Sequence, residues 1–396
     1  MKKTIFCLLI ILASTFCNQP KINQIREFAS PASDSCAQPY LFNDKNGTVY
    51  LTWIEKLKKQ STLKFSSIIN GVWTKPISIA KGNNWFVNWA DYPIIAADGK
   101  NNLIANYLEK SDTAKFAYDV KYTTSVNNGN TWTQSKILHN DEKLAEHGFV
   151  SMMPYDENFF ISWLDGRNTI SEKAGTHNGH QGEMTIRGAI LTKEGIKEKE
   201  WELDNRVCDC CQTSVAITDN GPVVVYRDRS EDEIRDMAIV RLVNGKWTAP
   251  KIIFPDGWKI MGCPVNGPKV DAIGNNLAIA WFSINDNKGQ VKIIFSLDGG
   301  ESFGTPIQID EGTPIGRVDL LMLDEKSAFV SWMEGSDIKA LKVNSNGIIE
   351  KSIMVATSSD ARASGFPQIT KSRNKIFFAW TDEKEKRIKT AMLDFK

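Results

Sequence analysis

Four cysteines and a scatter of histidines carry the most specific chemistry in this sequence. Cys208, Cys210 and Cys211 fall in the run RVCDCCQTS, and Cys263 follows in GCPVNGP. Such thiols are soft ligands, and His147, His177 and His180 add imidazole, a set that suits Cu(I) or Zn(II). The plainer and preferred reading of the same cysteines is a disulfide staple between neighbouring repeats, with Cys36 as a further partner. With Cys7 and Cys17 set aside, five cysteines are left, and an odd number leaves at least one thiol outside any intramolecular disulfide. Metal and disulfide both stay open; His139 reads as a surface residue.

Charged side chains give a second chemistry. Arg206, Arg227, Arg229, Arg235, Arg317 and Arg362, with Asn266, could bind an anionic ligand, because guanidinium matches the carboxylate of an acidic sugar bidentately. Glu146, Asp165, Asp209, Asp228 and Asp319 are the carboxylates from which an acid and a nucleophile or base for glycoside cleavage could be drawn. Each one singly reads as a turn residue or an ion-pair partner, as with Asp165 and Arg167 or Asp228 and Arg229.

The elements that must position these groups are strands. An alternating apolar stretch ending in an aromatic residue and a polar turn recurs seven times, at Trp53, Tyr107, Trp163, Tyr226, Trp281, Trp332 and Trp380. The copies are spaced by about 50 to 60 residues, and no amphipathic helix of useful length lies between them. The fourth unit reads as four strands: TSVAIT, PVVVYRD, DMAIVRLV and KWTAPKII. Four-stranded units that cannot bury both faces alone stack around an axis, which predicts an all-β propeller of seven blades, or six if two units merge. The last unit supplies three strands, and INQIREFA near the N-terminus is the expected fourth. Strand alternation then puts segments 145–154, 206–214, 262–268, 315–320 and 362–368, with loops 164–183 and 227–236, on one axial face. That face is the expected site.

Composition limits the partners. The chain has 396 residues with 48 Lys plus Arg against 47 Asp plus Glu, a formal net charge of +1 that gives no footprint for nucleic acid. Neither a Walker loop nor a strand-to-helix glycine fingerprint is present. Residues 1–17, MKKTIFCLLIILASTFC, have the three parts of an export signal, and Cys17 sits where bacterial lipoprotein signals place the lipidated cysteine. The expected organisation is a signal at 1–17, a linker and closing strand at 18–34, and one propeller at 35–396. The expected location is the bacterial cell envelope, with membrane contact through a lipid anchor only.

Two hairpins carry a family resemblance. SVNNGNTWT, with Ser125, Asn127, Gly129 and Trp132, and SLDGGESF, with Ser296, Asp298, Gly300 and Phe303, resemble the Asp-box, or BNR, repeat of sialidase-like propellers. INGVWTKP and VNGKWTAP are degenerate relatives of the same hairpin. The resemblance implies that the box is a structural turn. For an active sialidase it also implies three arginines on the sialic-acid carboxylate, a tyrosine nucleophile with its glutamate, and an aspartate acid/base. This chain has no arginine between Arg26 and Arg167 and no tyrosine after Tyr226, so that catalytic set is not carried over. The expected function is an anchored, monomeric protein binding a glycan or small anionic ligand at its axial face. The alternatives are a divergent exo-sialidase or glycoside hydrolase and a Cys/His metal-binding envelope protein.

Overall fold

The computed structural model describes residues 25–113, 116–171 and 180–395. Seven antiparallel sheets follow one another, and each has an innermost strand at the axis: Cys36–Asn43, Ile95–Ala97, His147–Tyr155, Ser214–Thr218, Lys269–Ile273, Pro314–Asp324 and Gln368–Ser372. The fold is therefore a propeller of seven blades, not six. Blade seven takes its outermost strand from the other end of the chain. Arg26–Phe28 pairs antiparallel with Arg387–Asp394, with Phe28 opposite Thr390. Phe28 then packs on Trp73 of blade one and Phe377 of blade seven, with ring centroids 5.7 and 5.9 Å away.

The repeated aromatic lies between sheets, where Trp53, Trp163, Trp281 and Trp332 are fully buried. A buried indole N–H needs an acceptor. In blades three and six it comes from the acid two residues on: Trp163 donates to Asp165 at 2.8 Å and Trp332 to Glu334 at 2.7 Å. Blade five has no acid at that place, and Trp281 donates to Asp256 at 2.6 Å instead.

Innermost strands pair on one side only, so their axial edges carry amides without a ladder partner. Side chains of the preceding blade accept from them in sequence around the ring. Phe149 N–H donates to Asp91 at 2.9 Å, Val215 to Ser151 at 3.0 Å and Val270 to Ser214 at 3.0 Å. Met322 donates to Asp271 and Ile369 to Asp319, each at 2.7 Å. These ties surround a central cavity of about 280 Å³.

The four related hairpins share one clasp at the other end of the blades. The residue after the aromatic donates its N–H back to the third strand: Thr74 to Ser67, Thr133 to Thr124, Thr248 to Arg241 and Gly304 to Phe295, at 2.8 to 3.0 Å. In the two fuller copies Ser125 and Ser296 accept from the amides of Gly129 and Gly300, both at 2.9 Å. Asn127 fills the role of Asp298, accepting from the amide of Thr131 at 3.0 Å where Asp298 accepts from Ser302 at 2.9 Å.

Blades two and three are joined by a buried histidine pair, which corrects the reading of His139 as a surface residue. The His139 and His147 rings stack at 3.5 Å, and Asp141 accepts from both, at 2.6 Å from His139 and 3.1 Å from His147. Asp119 lies 3.4 Å from His139, and Asp165 lies 3.7 Å from His147. Burial alone would lower the His139 pKa, but hydrogen bonds to Asp119 and Asp141 raise it above 6.5. Burial would raise Asp141, and the two imidazoles pull it far below 3.8.

Phe28→Ala should lower unfolding free energy by about 2 kcal/mol, less than a fully buried Phe costs because the ring is half-exposed; urea denaturation reads this directly. For the histidine junction, a raised His139 stabilises the fold below its unfolded pKa, and that gain is lost as pH rises through the folded one. A lowered Asp141 stabilises above its unfolded pKa, and that gain is lost as pH falls. Asp141→Asn should therefore cost most between about pH 4 and 6.5, on the order of 2 to 4 kcal/mol, with the penalty shrinking on either side. A penalty independent of pH would refute this account.

Candidate functional site

Links entering the innermost strands and loops joining second to third strands leave the blades at one end of the axis, and that end collects the groups with free chemistry. The run 206–214 enters blade four and the run 262–268 enters blade five. They pack backbone to backbone: a Cβ on Gly267 would stand 2.2 Å from the Gln212 carbonyl oxygen. Val265, a β-branched residue, is held at φ 49° to make this approach. Gln212 fastens the two, donating to the Ala90 carbonyl at 2.6 Å and accepting from Gly267 N–H at 2.9 Å.

This packing gathers the thiols. The Cys208 sulfur lies 3.6 Å from that of Cys211 and 3.8 Å from that of Cys210. Cys263 and the Asp209 carboxylate fall within 4.8 Å of Cys210. Arg235 donates to the Cys208 sulfur at 3.1 Å. Burial pushes Cys208 up to about 11. Burial would do the same to Cys211, but hydrogen bonds from Cys208 and Cys210 and the Arg227 charge bring it well below an ordinary thiol. His147 does not join this group. His147 sits in the histidine junction of blades two and three, a correction to the expected Cys/His cluster. His180 pairs through its backbone with Ser171, and His177 and Cys17 lie outside the described residues.

Beside the thiols, Glu146, Thr169, Gly182, Met184, Asp209 and Arg229 line a crevice of about 10 Å³. Tyr118 donates its hydroxyl to Glu146 at 2.6 Å. Burial, with the neighbouring Asp209 and Asp91 charges, raises Glu146 well above the usual carboxylate range despite that bond. Burial and the Cys208 charge raise Asp209 as well. Arg229 is held by Glu233 at 2.7 Å, and Glu233 also takes Arg235 at 2.7 Å. Arg206 rests more loosely, 3.6 Å from Glu183. Arg206 Nε and Glu183 Oε2 are buried without a hydrogen-bond partner.

Several other expected site residues are committed internally. Arg227 donates to the carbonyls of Arg235, Asn266 and Phe282 at 2.6 to 2.8 Å and stacks on Trp258. Arg317 donates to Ser364 at 2.6 Å and to the carbonyls of Asp360, Ala361 and Gly365, and burial lowers its pKa to about 10. Asn266 accepts from Arg317 N–H at 2.7 Å. Asp165 is the indole acceptor of its blade and chelates Arg167 at 2.7 Å. Asp319 is a ring tie, 3.5 Å from Lys269. Asp228 is half-buried, and burial raises it to about 6. Arg362 is exposed, 6.0 Å over the Trp89 ring.

Sequence reasoning missed a wide opening on this face. A groove of about 540 Å³ lies over blades one and seven, with Ile54, Val87 and Ala363 in its walls and Lys56, Lys58 and Lys386 among its lining side chains. Its lysines come from the short turns after the second strands of those blades. The rule that sorted loops by face would have found them had it been applied to short turns as well as to long loops.

No protein-family model and no curated protein matches the chain. Solved structures do. The chain covers 96% of itself and 94% of the polysaccharide lyase Uly1, at 10% identity and a TM-score of 0.53. It covers 78% of itself and 79% of an ulvan lyase of polysaccharide lyase family PL25 bound to -[GlcA(1-4)Rha3S]-, at 13% identity and a TM-score of 0.50. It also matches a mutant of the NanB sialidase from Streptococcus pneumoniae at 14% identity and a TM-score of 0.45, over 94% of this chain and 70% of that one. At such identities the likeness establishes the propeller fold and nothing finer.

Proposed function

We propose that this protein binds an acidic glycan on its axial face and works in the cell envelope. The observation that carries the reading is the open groove of about 540 Å³ lined by Lys56, Lys58 and Lys386. It combines apolar walls, against which sugar rings can lie, with ammonium groups for carboxylate or sulfate. Arg362 over Trp89 supplies a further exposed cation on the same face. Structural neighbours whose names are those of a polysaccharide lyase and an ulvan lyase agree with this choice of ligand by analogy of fold.

A second reading, turnover of the bound glycan, is favoured by one observation: Tyr118 donates to Glu146, whose carboxyl burial raises well above the usual carboxylate range beside Asp209 and Arg229. A carboxyl with a raised pKa is what a general acid for glycoside cleavage requires.

Titration of sulfated and uronate-containing polysaccharides against neutral ones should show binding of the acidic class only, weakening with salt. Lys56→Glu with Lys58→Glu should reduce affinity about tenfold or more, since it reverses two charges at the rim. Equal binding of neutral chains would overturn the reading. Scoring the same panel for new reducing or unsaturated ends decides turnover: a rate that falls in Glu146→Gln while binding persists supports it, and no product from any chain removes it. For location, the sequence of residues 1–17 supports lipidation at Cys17. Labelled fatty acid should enter the protein in a bacterial host and be lost in Cys17→Ser; unlabelled, freely secreted protein would refute the anchor.

A further inference from the structure

The thiol group has a geometry that glycan binding does not explain. Three sulfurs, those of Cys208, Cys210 and Cys211, lie within 4.8 Å of one another, and Cys263 from the neighbouring blade forms a second group with Cys210 and Asp209. The separations from Cys208 are 3.6 and 3.8 Å. A tetrahedral ion with metal–sulfur bonds of about 2.3 Å sets its sulfurs about 3.8 Å apart, whereas a disulfide needs about 2.05 Å.

The surrounding charge points the same way. Arg227 is 1% exposed, its backbone carbonyl accepts from the Cys208 N–H at 3.0 Å, and among the described residues no carboxylate lies within ion-pair distance of its guanidinium. Arg235, 3% exposed, donates directly to the Cys208 sulfur and shares Glu233 at 2.7 Å. A buried guanidinium without a carboxylate, as at Arg227, favours another anion close by. Thiolates supply it; neutral disulfides do not. The His139, His147, Asp119, Asp141 and Asp165 group is a weaker rival, because Asp141 is already bonded to both imidazoles and Asp165 to Arg167.

We propose that Cys208, Cys210 and Cys211, with Cys263 as fourth ligand, form a thiolate site for a thiophilic d10 cation, Zn(II) or Cu(I), that clamps the 206–214 segment to the 262–268 segment. A sulfur-only set excludes the hard cations Mg(II) and Ca(II). Binding displaces the thiol protons to solvent and involves no redox step. This site is independent of the glycan reading, and either can fail without the other.

The test is elemental analysis of full-length mature protein purified with and without added Zn(II), and under reducing conditions with Cu(I), alongside thiol titration and intact mass. About one equivalent of metal per chain is expected. Replacement by Co(II) should give sulfur-to-cobalt charge-transfer absorption. Cys211→Ser should abolish both signals, Cys263→Ser should weaken retention against a chelator at least tenfold, and Cys36→Ser, in a separate blade, should leave stoichiometry unchanged. Which ion survives competition distinguishes zinc from copper. Should Cys211→Ser fail to fold, the wild-type mass still decides. A loss of four hydrogens with no metal would mean two disulfides and overturn the proposal, as would metal binding undiminished in both Cys211→Ser and Cys263→Ser.

Discussion

The open axial edges of seven innermost strands are the constraint on which the rest of this molecule depends. Each such strand pairs with its own sheet on one side and faces the axis on the other, where its amides would go unpaired. The chain answers with a relay of acceptors, Asp91, Ser151, Ser214, Asp271 and Asp319, each reaching the next blade. Three of the five are carboxylates in a buried ring, and burial raises Asp91 to about 7. Lys269, set between Asp319 and the rings of Tyr40 and Tyr92, supplies a balancing charge. The central cavity is thus walled by groups already engaged in holding blades together.

That engagement explains why carboxylates that look alike in sequence differ in use. Asp165 and Asp319 answer demands set by the repeat, a buried indole in one case and a strand edge in the other. Glu146 and Asp209 answer none: neither caps a repeat position, and both sit in a crevice with raised pKa. Arginines divide in the same manner. Arg227 and Arg317 bond to carbonyls and staple adjacent loops, while Arg206, Arg229 and Arg362 keep exposed surface.

The sequence made the architecture legible because strand alternation and the repeated aromatic are local signals, and a period that returns seven times overrides errors in any one copy. The closing strand could be anticipated because the last unit supplies only three strands of the four. That these links and loops share one end of the axis followed from connectivity alone. What stayed hidden depends on side-chain partners from separate segments. His139 and His147 stack with Asp141 between blades, and nothing in their spacing announces a shared acceptor; His147 was instead grouped with the cysteines. The Lys56, Lys58 and Lys386 groove was missed because short turns and the strand ends beside them look alike until neighbouring blades bring them together. The adjacency of Cys208, Cys210 and Cys211 with Cys263 was visible, since both runs enter consecutive innermost strands.

The thiol group and the crevice are not separate compartments, because one chain of charges connects them. Arg235 donates to the Cys208 sulfur and to Glu233, and Glu233 in turn holds Arg229, which lines the crevice with Asp209 and Glu146. Asp209 belongs to both, standing between thiols in sequence and 3.8 Å from Arg235. Any change in charge at the sulfurs alters how strongly Arg235 is drawn from Glu233, and so how firmly Glu233 holds Arg229. In a low-dielectric setting such contacts strengthen one another. The sulfur cluster therefore fixes more than a loop: through Arg235 and Glu233 it bears on how firmly Arg229 is held at the crevice wall.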